Sequence, residues 1–321
     1  MSVPYNSVAI IGTTASGKTA MACALAHRFG GGIISLDARQ MYKGFNLCSG
    51  KDLNLYTKDT VSIPYRLIDI CNPEQKLPLQ DWMQCLQNVF LDFKKEQLPV
   101  WFCGGSHLYL DALRKSFSWS AIPANMVFQK EFQLLSTPEL QERIKNLPEW
   151  IRLKADLTSR KRLLRLLEIV PVLTAHPEQF RDELPPVYNP LYIGLHWPKA
   201  ELIKRIEARL DERLNQGMIE EVENQLSQSL ITYERLLELG LEYKFIAEYL
   251  RGRYTFYQLK ERLGIAIRQY AKRQMTWFRH MERQGVLIHW FEGAQSGIEA
   301  KISELILNSK VQGIEDANPE I

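Results

Sequence analysis

Short apolar runs alternate with segments of helical periodicity over the first third of the chain. Residues 18–28 and 81–95 carry apolar side chains at intervals of three and four, which predicts helices. The apolar runs between and beside them are too short for helices and are typical of buried strands. They lie at 8–11, 33–36, 67–70 and 100–103. Strands that alternate with helices in this way predict an α/β fold with a parallel sheet.

Helical patterns dominate the rest of the chain. Prolines divide residues 116–175 into short helices, and the segment 163–173 is the most strongly apolar of them. A further strand-like run at 191–195 precedes helices that extend from 199 to about 284. The last residues are acidic, and we expect them to form a loose tail. We therefore predict a sheet core at 1–115, a helical insertion at 116–190, a return to the core with C-terminal helices at 191–291, and a C-terminal tail at 292–321.

Composition indicates an ordinary globular chain of two domains. Of its 321 residues, 45% are hydrophobic and 24% are charged, which is too apolar for disorder. The five cysteines are an odd number without a C-x-x-C pair, which argues against a disulfide framework and a zinc module. No apolar run approaches the ~18 residues of a membrane span. Lys18 interrupts the N-terminal apolar stretch, which would be unbroken in a signal peptide. We expect a cytoplasmic protein that does not contact membranes.

Positive charge is concentrated in two clusters, although the net charge is only +3. Residues 143–165 carry eight Lys and Arg against Glu149 and Asp156, and residues 251–280 carry eight against Glu261. Clusters of this kind are typical of a phosphate-backbone partner. Charge alone equally allows two solvated helix faces.

A phosphate-binding motif lies between the first predicted strand and the first predicted helix. The sequence GTTASGKT at 12–19 fits G-x-x-x-x-G-K-[ST], and it has the strand and helix that this motif requires on either side. Glycines allow backbone N–H groups to face one concavity, Lys18 neutralises phosphate charge, and the Thr19 hydroxyl can bind Mg²⁺. The sequence thus predicts a P-loop NTPase-like fold with a site for a di- or triphosphate. Its binding residues are Gly12, Thr13, Thr14, Ala15, Ser16, Gly17, Lys18 and Thr19.

A carboxylate follows the second predicted strand. Asp37 falls at the carboxyl end of this strand, which is where open α/β sheets bind ligands. The residue could therefore face a substrate beside the P-loop. It could also be the N-cap of a following helix, and both interpretations stay open on this evidence.

Eight ordered blocks between residue 8 and about residue 291 resemble the tRNA dimethylallyltransferases, or isopentenyl-tRNA transferases, of the bacterial type. The blocks are GTTASGKT, LDARQMYKG, YRLIDI, VWFCGGSHLYLDAL, RLLRLLEIV, IEARLDERLNQGMIEEV, LGLEYKFIAEYL and IRQYAKRQMTWFR. The resemblance implies transfer of a dimethylallyl group from dimethylallyl diphosphate to N6 of the adenosine on the 3′ side of the tRNA anticodon. Diphosphate is the other product.

The resemblance also implies roles for individual residues. Lys18 and Thr19 would stabilise the leaving diphosphate together with Mg²⁺, and Asp37 would accept the amine proton. An adenosine of the anticodon loop must turn outward to reach such a site, so the enzyme also needs tRNA contacts. The matching positions for these contacts are Asp37, Ala38, Arg39, Gln40, Ser106, Lys161, Arg162, Arg165, Arg268 and Arg273. The implied partners are tRNA and dimethylallyl diphosphate, and we expect a monomer without the zinc finger of the eukaryotic enzymes.

The chain departs from the family pattern at several positions. Thr13 replaces the usual Pro, Ala38 replaces a Ser, Ser106 replaces a Thr and His107 replaces a Gly. The Asn-Asp pair that usually precedes the arginine segment is absent. Lys18, Thr19 and Asp37 are all retained, so these departures concern the choice of tRNA more than the chemistry.

Two other functions fit parts of the sequence. A small-molecule or nucleotide kinase would use the same P-loop and sheet, with Asp69 as its magnesium-binding acid. A catalytically silent tRNA-binding protein would account for the departures. The basic residues 267–279 are interleaved with aromatic ones, which favours a single-stranded RNA partner. We expect those aromatic side chains to lie mostly in the core and the arginines to be mostly functional.

Overall fold

The computed structural model describes residues 4–58, 60–115, 119, 122–123, 125–180 and 187–315. Its contacts divide the chain into two compact units. The larger unit combines Met1–Arg114 with Val187–Ile321, and the smaller one is Lys115–Pro186. No helix among the residues described is both long and apolar enough to cross a membrane.

A six-stranded sheet forms the centre of the larger unit, in the order β5-β2-β6-β1-β7-β8, with every neighbouring pair parallel. This confirms the predicted parallel sheet flanked by helices. The short strands β3 and β4 form a separate antiparallel pair. The strands are β1 (Ser7–Gly12), β2 (Gly32–Leu36), β3 (Thr57–Lys58), β4 (Val61–Ser62), β5 (Tyr65–Arg66), β6 (Val100–Gly104), β7 (Pro190–His196) and β8 (Ile288–Glu292).

The described residues form fourteen α-helices, and a 3₁₀ helix spans Leu53–Tyr56. Helices α4 to α8 belong to the smaller unit. The helices are α1 (Lys18–Phe29), α2 (Leu79–Lys95), α3 (His107–Ala112), α4 (Met126–Gln133), α5 (Thr137–Lys145), α6 (Glu149–Arg152), α7 (Arg160–Ala175), α8 (Pro177–Phe180), α9 (Lys199–Asn215), α10 (Met218–Ser227), α11 (Tyr233–Leu239), α12 (Leu241–Leu250), α13 (Phe256–Arg283) and α14 (Ile298–Asn308).

Two expectations about elements are wrong, and one strand has no counterpart in the sequence prediction. The apolar run 67–70 is not a strand, because β5 ends at Arg66 and both Leu67 and Asp69 have left-handed backbone with φ of 62° and 55°. Strand β8 was not predicted from the sequence. The tail is not loose over 298–308, because α14 buries Ile302 and Ile306 in the same apolar cluster as residues of α1.

The sheet register brings three loops to one edge. Ile11 of β1 and Leu36 of β2 both pair with Gly104 of β6, so these strands end at the same level. The segments that follow them contain the P-loop, Asp37 and Ser106. Because the strands are parallel, their carboxyl ends form one edge at which ligands can bind.

The smaller unit has an apolar core of its own. Helix α7 contributes Leu163, Leu166 and Leu173, and these pack with Leu140 and Ile144 of α5. The predicted apolar helix at 163–173 lies within α7.

Candidate active site

The loop between β1 and α1 has the tight curvature that its sequence predicts. Ala15 and Gly17 have left-handed φ of 60° and 92°, and the N–H of Ser16 donates to the carbonyl of Thr13 at 3.3 Å. Thr13 and Ser16 are buried, so the loop is part of the fold and not a surface excursion. Helix α1 begins directly at Lys18 and directs its N-terminus toward this loop.

The environment of the Lys18 amino group favours the binding of an anion. Its Nζ donates to the carbonyl of Thr13 at 2.8 Å, and burial lowers the pKa of Lys18. Burial also raises the pKa of Cys103, beside Lys18, to about 11, so this thiol is neutral at pH 7. A ligand with negative charge would stabilise the charged form of Lys18, as a phosphate does in this motif.

Asp37 is fixed by its own chain at the end of β2. Its Oδ1 accepts the N–H of Arg39 at 2.9 Å, and its N–H donates to the Ser35 hydroxyl at 3.3 Å. A turn and not a helix follows, so the interpretation of Asp37 as a helix N-cap is wrong. The carboxylate lines a cavity together with Lys18 and Thr19.

Two cavities of the larger unit lie against the P-loop. The first, of about 410 Å³, holds Asp37, Ser106 and Tyr270 in its wall, and the second, of about 490 Å³, is lined by Ala15, Gly17 and residues of α9. Both volumes are of the size that small-molecule sites have. Four side chains line both cavities, and all can carry positive charge or donate a hydrogen bond: Lys18, Thr19, Arg209 and Arg213.

Sequence reasoning missed three arginines of α9 that face the P-loop. Arg205, Arg209 and Arg213 are spaced four residues apart and so share one helix face. Arg205 donates from Nε to the carbonyl of Ala15 at 2.8 Å. The signal was present as this spacing, but acidic residues between the arginines hide it from a count of net charge.

A single carboxylate holds two of these arginines. Asp52 accepts Arg209 at 2.7 Å and Arg213 at 3.4 Å through its two oxygens. Burial lowers the pKa of Arg209, and the neighbouring Arg213 lowers it further. The two guanidinium groups therefore exceed the charge of their shared partner, which is typical of a site that receives an anion.

Gln274 was also missed, and it joins the P-loop to the end of β6. Its Oε1 accepts the N–H of Thr14 at 2.8 Å and its Nε2 donates to the carbonyl of Gly105 at 3.0 Å. A side chain on Gly105 would come within 2.7 Å of the Gly12 carbonyl, so only glycine allows this approach. Helix α13 supplies this link from a position 260 residues away from Thr14.

We expect the change Gln274→Ala to destabilise the protein by about 1–3 kcal/mol, because it leaves the half-buried N–H of Thr14 and the buried carbonyl of Gly105 without this partner. The free energy of unfolding from urea denaturation measures the effect. Gln269→Ala, an exposed glutamine of the same helix, is the matched control and should change stability by less than about 0.5 kcal/mol. Equal stability of the two variants would show that the link contributes little.

The predicted tRNA contacts near Asp37 all line the first cavity but differ in their hydrogen bonds. Ala38, Arg39 and Ser106 line the first cavity, and the Ser106 hydroxyl accepts the N–H of Ala38 at 3.1 Å. Gln40 also lines it, but the Gln40 amide is buried and bonded to Ser35 at 2.7 Å and to the carbonyl of Gly50 at 3.0 Å. Gln40 thus supports the loop in this structure.

The basic residues of α13 differ in their surroundings. Arg268 pairs with Glu207 at 2.8 Å, whereas Arg273 is exposed with its guanidinium 6.0 Å from the Tyr270 ring centre. Phe278 is fully buried, as expected for the core, but Tyr270 is half-buried and lines the first cavity.

The predicted basic residues of the smaller unit lie on α7. Lys161 and Arg162 are exposed, and Arg162 pairs with Asp156. Arg165 pairs with the buried Glu168 at 2.9 Å. Arg165 therefore has a structural partner, while Lys161 and Arg162 remain at the surface.

Asp69, the acid that a kinase would need for magnesium, is paired with a lysine. Asp69 accepts Nζ of the buried Lys51 at 2.6 Å, and Lys51 also donates to the carbonyl of Tyr42 at 2.8 Å. The expectation of a magnesium-binding Asp69 therefore has no support in the structure.

Comparisons with known proteins agree on one family. A family model described as IPP transferase matches residues 40–281. The tRNA dimethylallyltransferase 1 of Geotalea uraniireducens is 40% identical over 95% of this chain and 98% of its own length. The solved tRNA isopentenylpyrophosphate transferase of Bacillus halodurans is 25% identical, with a TM-score of 0.66 over 94% of each chain. A eukaryotic dimethylallyltransferase acting on tRNA is 21% identical and shares the fold, with a TM-score of 0.78 over 98% of this chain and 81% of its own.

Proposed function

The chain belongs to the IPP transferase family, as the resemblance in its sequence indicated, and we propose that it transfers a dimethylallyl group from dimethylallyl diphosphate to N6 of an adenosine beside the tRNA anticodon. The observation that carries this proposal is that Lys18 of the P-loop and the carboxylate of Asp37 line one cavity. The first suits the leaving diphosphate and the second suits the proton of the attacking amine.

The P-loop side of the site would stabilise the leaving group. In the reaction the bond between the allylic carbon and the diphosphate oxygen breaks, and negative charge grows on the diphosphate. Lys18, Arg209 and Arg213 line both cavities and are charge partners for that oxygen. Groups already held in place lower the barrier because they need little reorganisation during the reaction.

The Asp37 side would receive the nucleophile. The exocyclic nitrogen forms its bond to the allylic carbon and loses a proton, which Asp37 accepts. The N–H of Arg39 holds one carboxylate oxygen in place. The same cavity is lined by one aromatic ring and two polar side chains, those of Tyr270, Ser106 and Gln274. These groups would surround a base that is turned out of the anticodon loop.

Magnesium would be bound mainly through the substrate. Among the residues described, no three His, Cys, Asp or Glu side chains come together as a metal site. Thr19 lines both cavities, and its hydroxyl is the protein donor that the P-loop motif supplies. A single protein oxygen fits Mg²⁺, which commonly takes its other ligands from phosphate and water. The ion would neutralise charge on the diphosphate.

Labelled dimethylallyl diphosphate tests this function. We expect label to appear in RNA when the protein is incubated with it and total tRNA, and no phosphate to be transferred from labelled ATP. Transfer of phosphate from ATP to a small acceptor, with no prenyl label in RNA, would support the kinase interpretation.

Salt dependence tests the tRNA contacts of the smaller unit. Replacing both Lys161 and Arg162 by Ala should weaken tRNA binding. The plot of the logarithm of the tRNA binding constant against the logarithm of salt concentration should also become less steep, by somewhat less than one unit for each RNA phosphate that is no longer paired. Arg165 is left in place because it pairs with the buried Glu168. Lys95→Ala, at an exposed lysine of α2 that pairs with Asp92 and lies outside both basic clusters, is the control. Slopes equal to that of the wild type would mean that Lys161 and Arg162 only face solvent.

A further inference from the structure

Three aromatic rings lie in sequence where α3 meets α13. The ring centres of His107 and Trp277 are 5.1 Å apart, and those of Trp277 and His280 are 5.0 Å apart. The rings are tilted by 52° and 45°. These distances are within the range at which aromatic rings attract one another. We call these three residues the ring ladder.

The ring ladder begins at the wall of the cavity that contains Asp37. His107 lines this cavity and is exposed at the start of α3. Tyr270, Gln274 and Trp277 follow at spacings of four and three residues and therefore lie on one face of α13. Tyr270 and Gln274 line the same cavity, so this face leads from the cavity to Trp277 and His280.

One exposed cation lies on the same face of α13 as the rings. Arg273 is three residues after Tyr270 and four before Trp277, and its guanidinium is 6.0 Å from the Tyr270 ring centre. Exposed cations beside half-buried rings are the combination that binds single-stranded nucleic acid, because phosphates pair with the cations while bases stack on the rings.

Base flipping creates a need for such rings. When one adenosine leaves the anticodon-loop stack, its neighbours are deprived of a stacking partner, and this is part of the cost of binding. Rings beside the cavity can take the place of that partner because every base presents an aromatic face. The ring ladder begins with His107 at the wall of the cavity that the flipped adenosine would occupy.

We propose that His107, Trp277 and His280 form a platform on which a nucleobase flanking the modified adenosine stacks. This inference rests on the proposed function. It makes His107 a specificity-determining residue, because His107 is the exposed ring of the three and lines the cavity that also contains Asp37. Purines should be preferred as neighbours, since stacking strength sets sequence preference at sites of this kind.

The test uses anticodon stem-loop RNAs in which either neighbour of the target adenosine is intact or abasic. For the wild type, the abasic neighbour that meets the platform should lower kcat/KM by roughly 5- to 100-fold, the range of base–aromatic stacking. His107→Ala should lower kcat/KM on intact RNA by at least roughly 5-fold and should be much less sensitive to the abasic change. His107→Phe should restore the wild-type pattern, because it keeps a ring without a protonatable nitrogen.

Controls separate stacking from other effects. Tyr257→Ala removes an exposed ring, 74% accessible, near the N-terminus of α13 and about 30 Å from Trp277 along the helix. This variant should behave as the wild type. Rescue of His107→Ala by Lys and not by Phe would show a phosphate contact and overturn the proposal. Equal sensitivity of the wild type and His107→Ala to both abasic RNAs would also overturn it. Absence of any prenylation by the wild type would instead reject the proposed function.

Discussion

Replacing Asp37 by Ala should lower kcat by ~10²- to 10⁴-fold, which is the usual contribution of a general base. The carboxylate lines the cavity with Lys18 and is held by the N–H of Arg39. Without it the amine proton has no acceptor at this position. Single-turnover rates on tRNA with saturating dimethylallyl diphosphate measure the effect on the transfer step.

Asp37→Asn is the matched variant for this change. An amide oxygen can still accept the N–H of Arg39 but cannot take up a proton at neutral pH. We therefore expect Asn to be nearly as slow as Ala while the affinity for the diphosphate substrate is largely retained. Turnover of either folded variant within a few-fold of the wild type would remove Asp37 from the mechanism.

Replacing Lys18 by Met should raise the KM for dimethylallyl diphosphate and lower kcat by roughly 10²- to 10³-fold, the loss typical of one preorganised charge partner. The charge that Lys18 meets grows as the diphosphate departs, so both parameters should change. Met keeps the length of the side chain and removes the charged amino group, which in the wild type donates to the carbonyl of Thr13.

The control for Lys18 is Lys301→Ala, at an exposed lysine of α14 outside both cavities. It should leave both kinetic parameters unchanged. Kinetics of the Lys18 variant that match this control would mean that the P-loop serves another ligand.

The parts of the site that sequence predicts are local in the chain. The P-loop is eight consecutive residues between a strand and a helix, and Asp37 directly follows the next strand. A motif of this kind carries its geometry with it, because glycine positions, strand end and helix start are all in one segment.

The parts that sequence reasoning missed depend on tertiary packing. Gln274 reaches Thr14 from a distant helix, and Arg209 reaches Asp52 across 157 residues. The spacing of α9 predicts a shared face but not what that face meets. One sequence without relatives to compare contains no signal for such pairs.

The two remaining differences from the predicted elements lie at the edge strands of the sheet, β5 and β8. Leu67 and Asp69 adopt left-handed backbone that ends β5, and Asp69 is oriented toward Lys51. Strand β8 is the edge strand of the sheet and is mostly half-buried, so it lacks the continuous apolar run that identifies the central strands. Pattern reasoning is therefore reliable for strands buried on both faces and weak at the sheet edge.

The central claim is tested most directly by identifying the product on tRNA. Unmodified tRNA is incubated with the protein and labelled dimethylallyl diphosphate, and the product is digested in one portion to oligonucleotides and in another to nucleosides. Both digests are analysed by mass spectrometry, while released diphosphate is measured in parallel. We predict one N6-dimethylallyladenosine, located beside the anticodon, for each diphosphate released. Diphosphate release without a prenylated nucleoside, or label on any other atom of the RNA, would contradict the account.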